Sequence, residues 1–392
     1  MALLHWLLVT LAMFVGLARF TLLVALLHCL SHNGNGGGGN NLGGFFGGAA
    51  AARPVSMPMR SVAEASLGIN EFTAVPKLPC DIYAAAKTPC VAAHAITRAL
   101  YANYGGPLYV LKRTSDGALH AITPVAPGGP ANAKDHDDFC AGSFCKIHRI
   151  VDQSGRGNHL DTAPGGGSVP TASRAVDASR EPLVVYGGSK VYAAYFEGGM
   201  GYRNDNTSGV AVGDEPESMY MVTSGDHFNG GCCFDYGNAE TDNLDHGAGT
   251  MEAIYWGNLN WTGRGDGQGP WVMGDLENGL FAGNNTPQVS NKPLAGLRFV
   301  AAMVKGRSGN HWAIKGGDAT KAGALQKMFD GPRPRGYEVM KKQGAIILGI
   351  GGDNSNWSVG TFYEGAMTNE YASDATEQTV FQSIVEAKYQ VI

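Results

Sequence analysis

The sequence predicts an all-β chain folded as a sandwich of antiparallel strands. Short apolar runs recur from about Cys80 to the end, each broken by Gly, Asn or Asp, the texture of strands joined by tight turns. Glycine supplies 57 of 392 residues and charged residues only 16%, which suits a turn-rich, secreted β protein. Hydrophobic residues reach 44%, enough for a substantial core in one large β domain or two ordinary ones.

The chain divides into three parts. Residues 1–31 read as a signal peptide or signal-anchor: the apolar run from Trp6 to Ala18 has the length of a signal core, and Arg19 then breaks it. In a single membrane span Arg19 would lie inside the bilayer at a cost of roughly 2.5–3.5 kcal/mol, so a cleaved signal is favoured over a permanent anchor. No basic segment precedes the run, which also fits an incorrectly assigned start codon. Residues 32–79 are glycine-rich and low in complexity, a linker or propeptide without core-forming residues. Residues 80–392 carry the β pattern.

Within that part, PLVVY (182–186), SMYMVTS (218–224), AIYWG (253–257), LRFVAAMVKG (297–306) and GAIILGIGG (344–352) read as strands. Helices are few. VAAHAITRALYANY (91–104) has apolar spacing compatible with a helix, and ATEQTVFQSIVEAKYQVI (375–392) is a better case, with early acids and an amphipathic face.

A formal charge of −5 leaves no basic footprint for nucleic acid, and a neutral sugar polymer fits better as partner. Cys29 lies in the leader; Cys80, Cys90, Cys140, Cys145, Cys232 and Cys233 remain. Their spacing lacks metal-binding knuckles and points to three disulfides, with Cys80/Cys90 and Cys140/Cys145 as the economical short loops. The vicinal pair Cys232 and Cys233 reads from geometry alone as two bridges to other cysteines.

Three segments offer acids. GPWVMGDLENGLF (269–281) reads mostly as a buried strand, so Asp275 and Glu277, two apart, are expected on one face, either a wet surface or a catalytic cleft. GAIILGIGGDNSN (344–356) presents Asp353 after a strand and two glycines, although Gly-Asp-Asn-Ser is also ordinary turn chemistry. GGCCFDYGNAET (230–241) adds Asp235 and Glu240, which spacing does not distinguish. Two carboxyl groups flanking a glycosidic bond are what glycoside hydrolysis needs. The sequence has no H-E-x-x-H, P-loop or G-x-S-x-G motif. His159, in VDQSGRGNHL (151–160), reads as a structural hydrogen-bonder.

PCDIYAAAKTPCVAAH (79–94), VDQSGRGNHL, CCFDYGNAET (232–241), GPWVMGDLENGLF, GAIILGIGGDNSN and GTFYEGAMT (360–368), in that order, resemble the catalytic domain of family-54 glycoside hydrolases, the fungal-type α-L-arabinofuranosidases. The resemblance implies a concanavalin A-like β-sandwich (jelly roll) with a few short helices, hydrolysing terminal α-L-arabinofuranosyl groups with retention. It implies Glu277 as nucleophile, Asp353 as general acid/base, and Asp275 as a binder of substrate hydroxyls that helps set the charge of Glu277. It also implies the pairs Cys232–Cys233, on which the sugar packs, Cys80–Cys90 and Cys140–Cys145. Asn278, Leu280 and Gly352 fall at pocket positions, and Trp261 is the nearest equivalent of a family tryptophan, shifted by one residue in NLNWTGRGDGQ (258–268).

No metal or cofactor is implied. The expected partner is an arabinose-containing polysaccharide or oligosaccharide, and the expected state a secreted monomer without stable membrane association if the leader is cleaved. Relatives of this kind typically continue into a β-trefoil arabinose-binding module, which the chain is expected to lack, weakening its attachment to polymer. Sequons at Asn206, Asn260, Asn284 and Asn356 mark candidate glycosylation sites, the last crowding Asp353. Rival readings are a sugar-binding sandwich without hydrolase activity, a related β-xylosidase or galactofuranosidase, and a tethered wall protein.

Overall fold

The computed structural model describes residues 78–284 and 287–392, and the expectations for the leader and for the glycine-rich segment up to residue 77 lie outside them. Antiparallel strands form two facing layers. In the first, Gly360–Thr368 pairs with Cys90–Ala95 on one side and Glu217–Ser224 on the other, followed outward by Phe299–Arg307, His311–Asp318 and Gln326–Gly331. In the second, the order is Tyr202–Asn204, Ala345–Leu348, Asp235–Ala239, Glu252–Gly257, Trp271–Asp275 and Leu280–Phe281. Further strands connect the layers along one margin, where Ser189–Phe196 pairs with both Gly360–Thr368 and Asp177–Val185. This is the predicted β-sandwich.

The core lies between the layers. Strand periodicity turns Tyr236, Ile254 and Val272 of the second layer toward it, against first-layer residues such as Val304 and Trp312. Close approach is needed there: a Cβ on Gly274 would lie 2.4 Å from the Trp312 ring, so glycine makes room for the indole. The opposite set, Asp235, Tyr255, Met273 and Asp275, faces away from that core. The functional cleft is built on this outer face.

One helix expectation is overturned. Cys90–Ala95 is a strand buried along its whole length, not the start of a helix over 91–104. A strand covered on both faces is a continuous apolar run with no period to separate it from a buried helix. It is held by the loop that follows the strand Cys145–Ile150: Asp152 Oδ1 accepts the Ala93 and Ser154 amides at 2.9 Å each, and Oδ2 accepts the Asn158 amide at 3.0 Å. His159 Nδ1 accepts the Asp152 amide at 3.0 Å, the structural role expected of it.

The C-terminal helix forms over Asp374–Glu386, capped by Ser373 Oγ on the Thr376 amide at 3.1 Å. It stops short of the expected end because Gln390–Val391 pairs with Leu183 and Val184 instead. Two shorter helices, Pro79–Ala85 and Ala133–Cys140, complete the described set. No described helix is long and apolar enough to cross a membrane.

All three disulfides implied by the family resemblance are present: Cys80–Cys90, Cys140–Cys145 and Cys232–Cys233. The geometric expectation of separate bridges from Cys232 and Cys233 is therefore corrected. The peptide bond between the two residues is cis, and their sulfurs are bonded to each other.

Candidate active site

The strand carrying Asp275 ends there, so Asp275 and Glu277 do not share an extended face as the sequence suggested. Leu276 to Gly279 reverse the chain, with the Leu276 amide donating to Gly279 O at 3.0 Å. Glu277 and Asn278 both take left-handed conformations, φ 59° and 55°, the pattern of a two-residue type I′ hairpin turn. Asn, Asp and Gly suit such positions. Glutamate there costs about 1–2 kcal/mol, and non-glycine residues held this way concentrate at functional sites.

The turn is fixed from both sides. Glu277 donates its amide to Asp275 Oδ1 at 3.2 Å and accepts the Tyr337 hydroxyl on its carbonyl at 3.0 Å. Asn278 Nδ2 donates to Asp245 Oδ1 at 3.0 Å. The acids meet because a hairpin folds back, not because strand residues alternate.

Asp353 approaches on a separate loop. Its Oδ1 accepts the Ser355 amide at 3.0 Å, the turn chemistry read from the sequence, and its carbonyl accepts the Ser168 amide at 3.0 Å. Asn354 Nδ2 binds Val169 O at 2.8 Å, while the Cys233 amide donates to Ser355 O at 3.2 Å and the Trp357 amide to Cys232 O at 3.1 Å. The Asp353 loop and the vicinal disulfide are thus tied into one wall.

Between these loops lies a cleft of about 460 Å³. Glu277, Asp275, Asn278, Gly352, Asp353 and the disulfide line it, and Trp261 stands 55% exposed at its side. The one-residue shift in sequence still delivers that indole to the cleft. Leu280 does not line it. It is fully buried beneath, packed with Cys233, Tyr255 and Met273, because its register opposite Asp275 turns it into that small apolar cluster.

Sequence reasoning missed Asp245, Ser168, Leu259, Ser355 and Trp357, all of which line the cleft. Trp357 and Ser355 had a local signal, lying in or directly after the Asp353 turn, and Leu259 sits in the Trp261 loop; Asp245 and Ser168 come from distant loops that only folding brings in. Cys232, Cys233 and Asp275 have donor atoms close enough to surround one ion, but both sulfurs are committed to the disulfide and offer no thiolate.

The electrostatics are dominated by crowded carboxyls. Burial, then Asp275, Glu240, Asp245 and Asp353, push Glu277 up to about 10. Burial raises Asp275 to about 7, and a hydrogen bond from Asp235 opposes the rise. Arg203 approaches this group, yet its guanidinium donates to Gly352 O at 2.8 Å and to the carbonyl of Glu240, and pairs with Asp205 at 2.6 Å. No carboxylate of the cleft receives it. The groups must therefore share a small number of protons among them.

Gly352 is where packing and chemistry meet. A Cβ there would lie 2.1 Å from Glu240 Oε2 and 3.1 Å from Glu277 Oε2. Glu240 is itself fully buried and takes the Thr250 hydroxyl on its other oxygen. Gly352→Ala is expected to lower kcat/KM by about 10²-fold through displaced carboxylates, with a melting temperature close to that of the parent. A large melting-temperature loss with intact kcat/KM would contradict this.

Among the sequons, Asn206 and Asn260 are exposed. Asn284 is half-buried, and the threonine at 286 that completes its sequon lies outside the described residues. Asn356 is buried with Nδ2 donating to Ser173 Oγ at 3.1 Å, so a glycan there would have to displace that contact.

The sequence profile of the family described as α-L-arabinofuranosidase B, catalytic, matches residues 79–390. The chain belongs to this family. A probable α-L-arabinofuranosidase B of Aspergillus terreus is 52% identical over 337 residues, covering 85% of this chain and 66% of the relative. An α-L-arabinofuranosidase of Hypocrea jecorina is 53% identical, covering 80% and 63%. The chain thus spans about two thirds of the length of the curated relatives it matches. Among solved structures, a glutamate-to-glutamine mutant of a GH54 α-L-arabinofuranosidase soaked with 4-nitrophenyl α-L-arabinofuranoside superposes with a TM-score of 0.78 at 49% identity, covering 80% of this chain and 66% of that one. An arabinofuranosidase complexed with arabinofuranosyl-α-1,2-xylobiose gives the same values.

Proposed function

We propose that the chain is a secreted, retaining α-L-arabinofuranosidase that releases terminal non-reducing α-L-arabinofuranosyl groups from arabinoxylan, arabinan and their oligosaccharides. The observation that carries this reading is the convergence of Glu277 and Asp353, from separate loops, on one cleft beside the vicinal disulfide in a member of this family.

In this mechanism Glu277 attacks the anomeric carbon while Asp353 protonates the departing oxygen, which breaks the glycosidic bond and leaves an arabinosyl ester on Glu277. Asp353, now ionised, takes a proton from water; the resulting hydroxide attacks the anomeric carbon and regenerates Glu277. Asp275 holds sugar hydroxyls, Asn278 and the Gly352 backbone orient the ring, and Cys232–Cys233 and Trp261 form its apolar supports. Glu277 has to be ionised to attack, which requires its neighbours to carry the protons that the crowded site retains.

The test is hydrolysis by the purified protein of 4-nitrophenyl α-L-arabinofuranoside, β-D-xylopyranoside and β-D-galactofuranoside. The expected result is a preference for the arabinofuranoside by at least about 10-fold in kcat/KM. One relative, from Trichoderma koningii, bears the name arabinofuranosidase/B-xylosidase, which favours the xyloside as the second substrate. Sugar binding without release of 4-nitrophenol from any of the three would favour the lectin-like reading.

A further inference from the structure

Asp235 is fully buried beneath the cleft, and neither of its oxygens has a hydrogen-bond donor among the described residues. An ionised carboxylate in that position would be an uncompensated buried charge, one of the costliest arrangements a fold can contain. The side chain that pairs with it is another acid, Asp275. Asp275 differs in kind: its Oδ1 already accepts the Glu277 amide, and its Oδ2 lies 3.3 Å from Cys233 Sγ. Two acceptors cannot bond to each other without a proton between them.

We propose that Asp235 is held as the neutral acid and donates its O–H to Asp275, so that the pair carries one negative charge and Asp235 acts as the positioning residue that keeps Asp275 aimed at the Glu277 amide. The inference rests on Glu277 as the nucleophile only for its catalytic consequence; the protonation itself stands on burial and partner chemistry. The groups facing Asp235 agree. Asp275 and Glu277 approach from the hairpin, Asp353 from the glycine loop and Tyr255 from the adjacent strand, and none brings a positive charge. Arg203, the nearby cation, is engaged by Asp205 and two backbone carbonyls. Burial first, then Asp275, raise the Asp235 carboxyl well above its ordinary range. In the proposed state a proton on Asp235 binds Asp275 from below, leaving the upper side of Asp275 for the Glu277 amide and the sugar.

Two variants separate this role from simple packing. Asp235→Asn keeps the shape and an N–H donor, while Asp235→Leu keeps burial but removes the donor. The expected kcat/KM on 4-nitrophenyl α-L-arabinofuranoside falls about 10²-fold for Asp235→Leu, with Asp235→Asn rescuing most of the loss. Equal losses in both variants would overturn the positioning role.

The proton is read separately, by urea unfolding of wild type and Asp235→Asn from pH 4 to 8. A raised carboxyl binds its proton in the fold but not in the unfolded chain, so Asp235 contributes a loss of stability in wild type as pH rises above the unfolded value; the Asn variant lacks that contribution while keeping those of Glu277 and Asp275, which cancel in the comparison. The folding equilibrium of Asp235→Asn should therefore gain on wild type by about tenfold per pH unit over this range. A pH-independent difference would mean that Asp235 is ionised in the fold and would sink the proposal. Because unfolding needs no substrate, an inactive wild type would refute the proposed function while leaving this measurement decisive for Asp235.

Discussion

Replacing Glu277 by glutamine is expected to lower kcat on 4-nitrophenyl α-L-arabinofuranoside by at least about 10³-fold, some 4 kcal/mol of transition-state stabilisation. The amide fits the same space, so the left-handed turn, the bond from its amide to Asp275 and the bond from Tyr337 should persist. Circular dichroism and melting temperature should match the parent. Asp353→Asn is expected to behave differently, because a general acid matters in proportion to how badly the leaving group needs a proton. Loss against an arabinofuranosyl xylo-oligosaccharide should reach about 10²–10⁴-fold. Bond cleavage with 4-nitrophenolate, which departs without protonation, should suffer far less, with release of the arabinosyl enzyme becoming the slow step. A small external nucleophile such as azide should then accelerate turnover in Asp353→Asn and not in Glu277→Gln. Rescue in the opposite variant would reverse the two assignments, and wild-type activity in either would remove that residue from the mechanism.

The second large effect concerns stability. Arg98 and Glu364 form a two-pronged pair, Nε to Oε2 at 2.5 Å and the second guanidinium nitrogen to Oε1 at 2.7 Å, with side chains 1% and 0% exposed. Tyr389 and Tyr220 add hydroxyl bonds to Glu364 at 2.6 and 3.2 Å. Glu364 lies in the central strand Gly360–Thr368, and Arg98 also reaches Ser383 O on the last helix at 3.4 Å. The cluster locks that helix onto the sheet. Glu364→Leu leaves a buried guanidinium without its counter-charge and is expected to cost about 3–5 kcal/mol in urea unfolding. Adding Arg98→Met should restore much of it, since an apolar pair of similar volume avoids the desolvation of two charges. A single-variant loss below about 1 kcal/mol would show that the pair contributes little.

How much of this was legible in sequence depends on whether the signal is local. The long strands were readable because each carries its own apolar run between turn residues, as in SMYMVTS and AIYWG. Cys90–Ala95 was not, because burial on both faces erases the period that separates strand from helix. The hairpin at Glu277 escaped for a related reason. Leu276 and Leu280 continue the apolar texture of the strand through the turn, and glutamate is a poor advertisement for a left-handed position. Cys140–Cys145 and Cys80–Cys90 were the economical pairs on loop length, whereas the vicinal bond needed the family resemblance.

By itself, the sequence determined the sandwich, the two acidic motifs and the family, because strand periodicity, turn residues and ordered motifs are all written in short stretches of chain. The tertiary structure decided which groups meet. It set Asp275 beneath the Glu277 turn, drew in Asp245 and Trp357, withdrew Leu280 into the apolar layer and placed Asp235 under Asp275. Proximity between residues far apart in the chain is a property of how two layers pack and of the loops they support. The state of charge follows from that packing, since a carboxyl's proton depends on burial and on neighbours that no single segment of sequence contains.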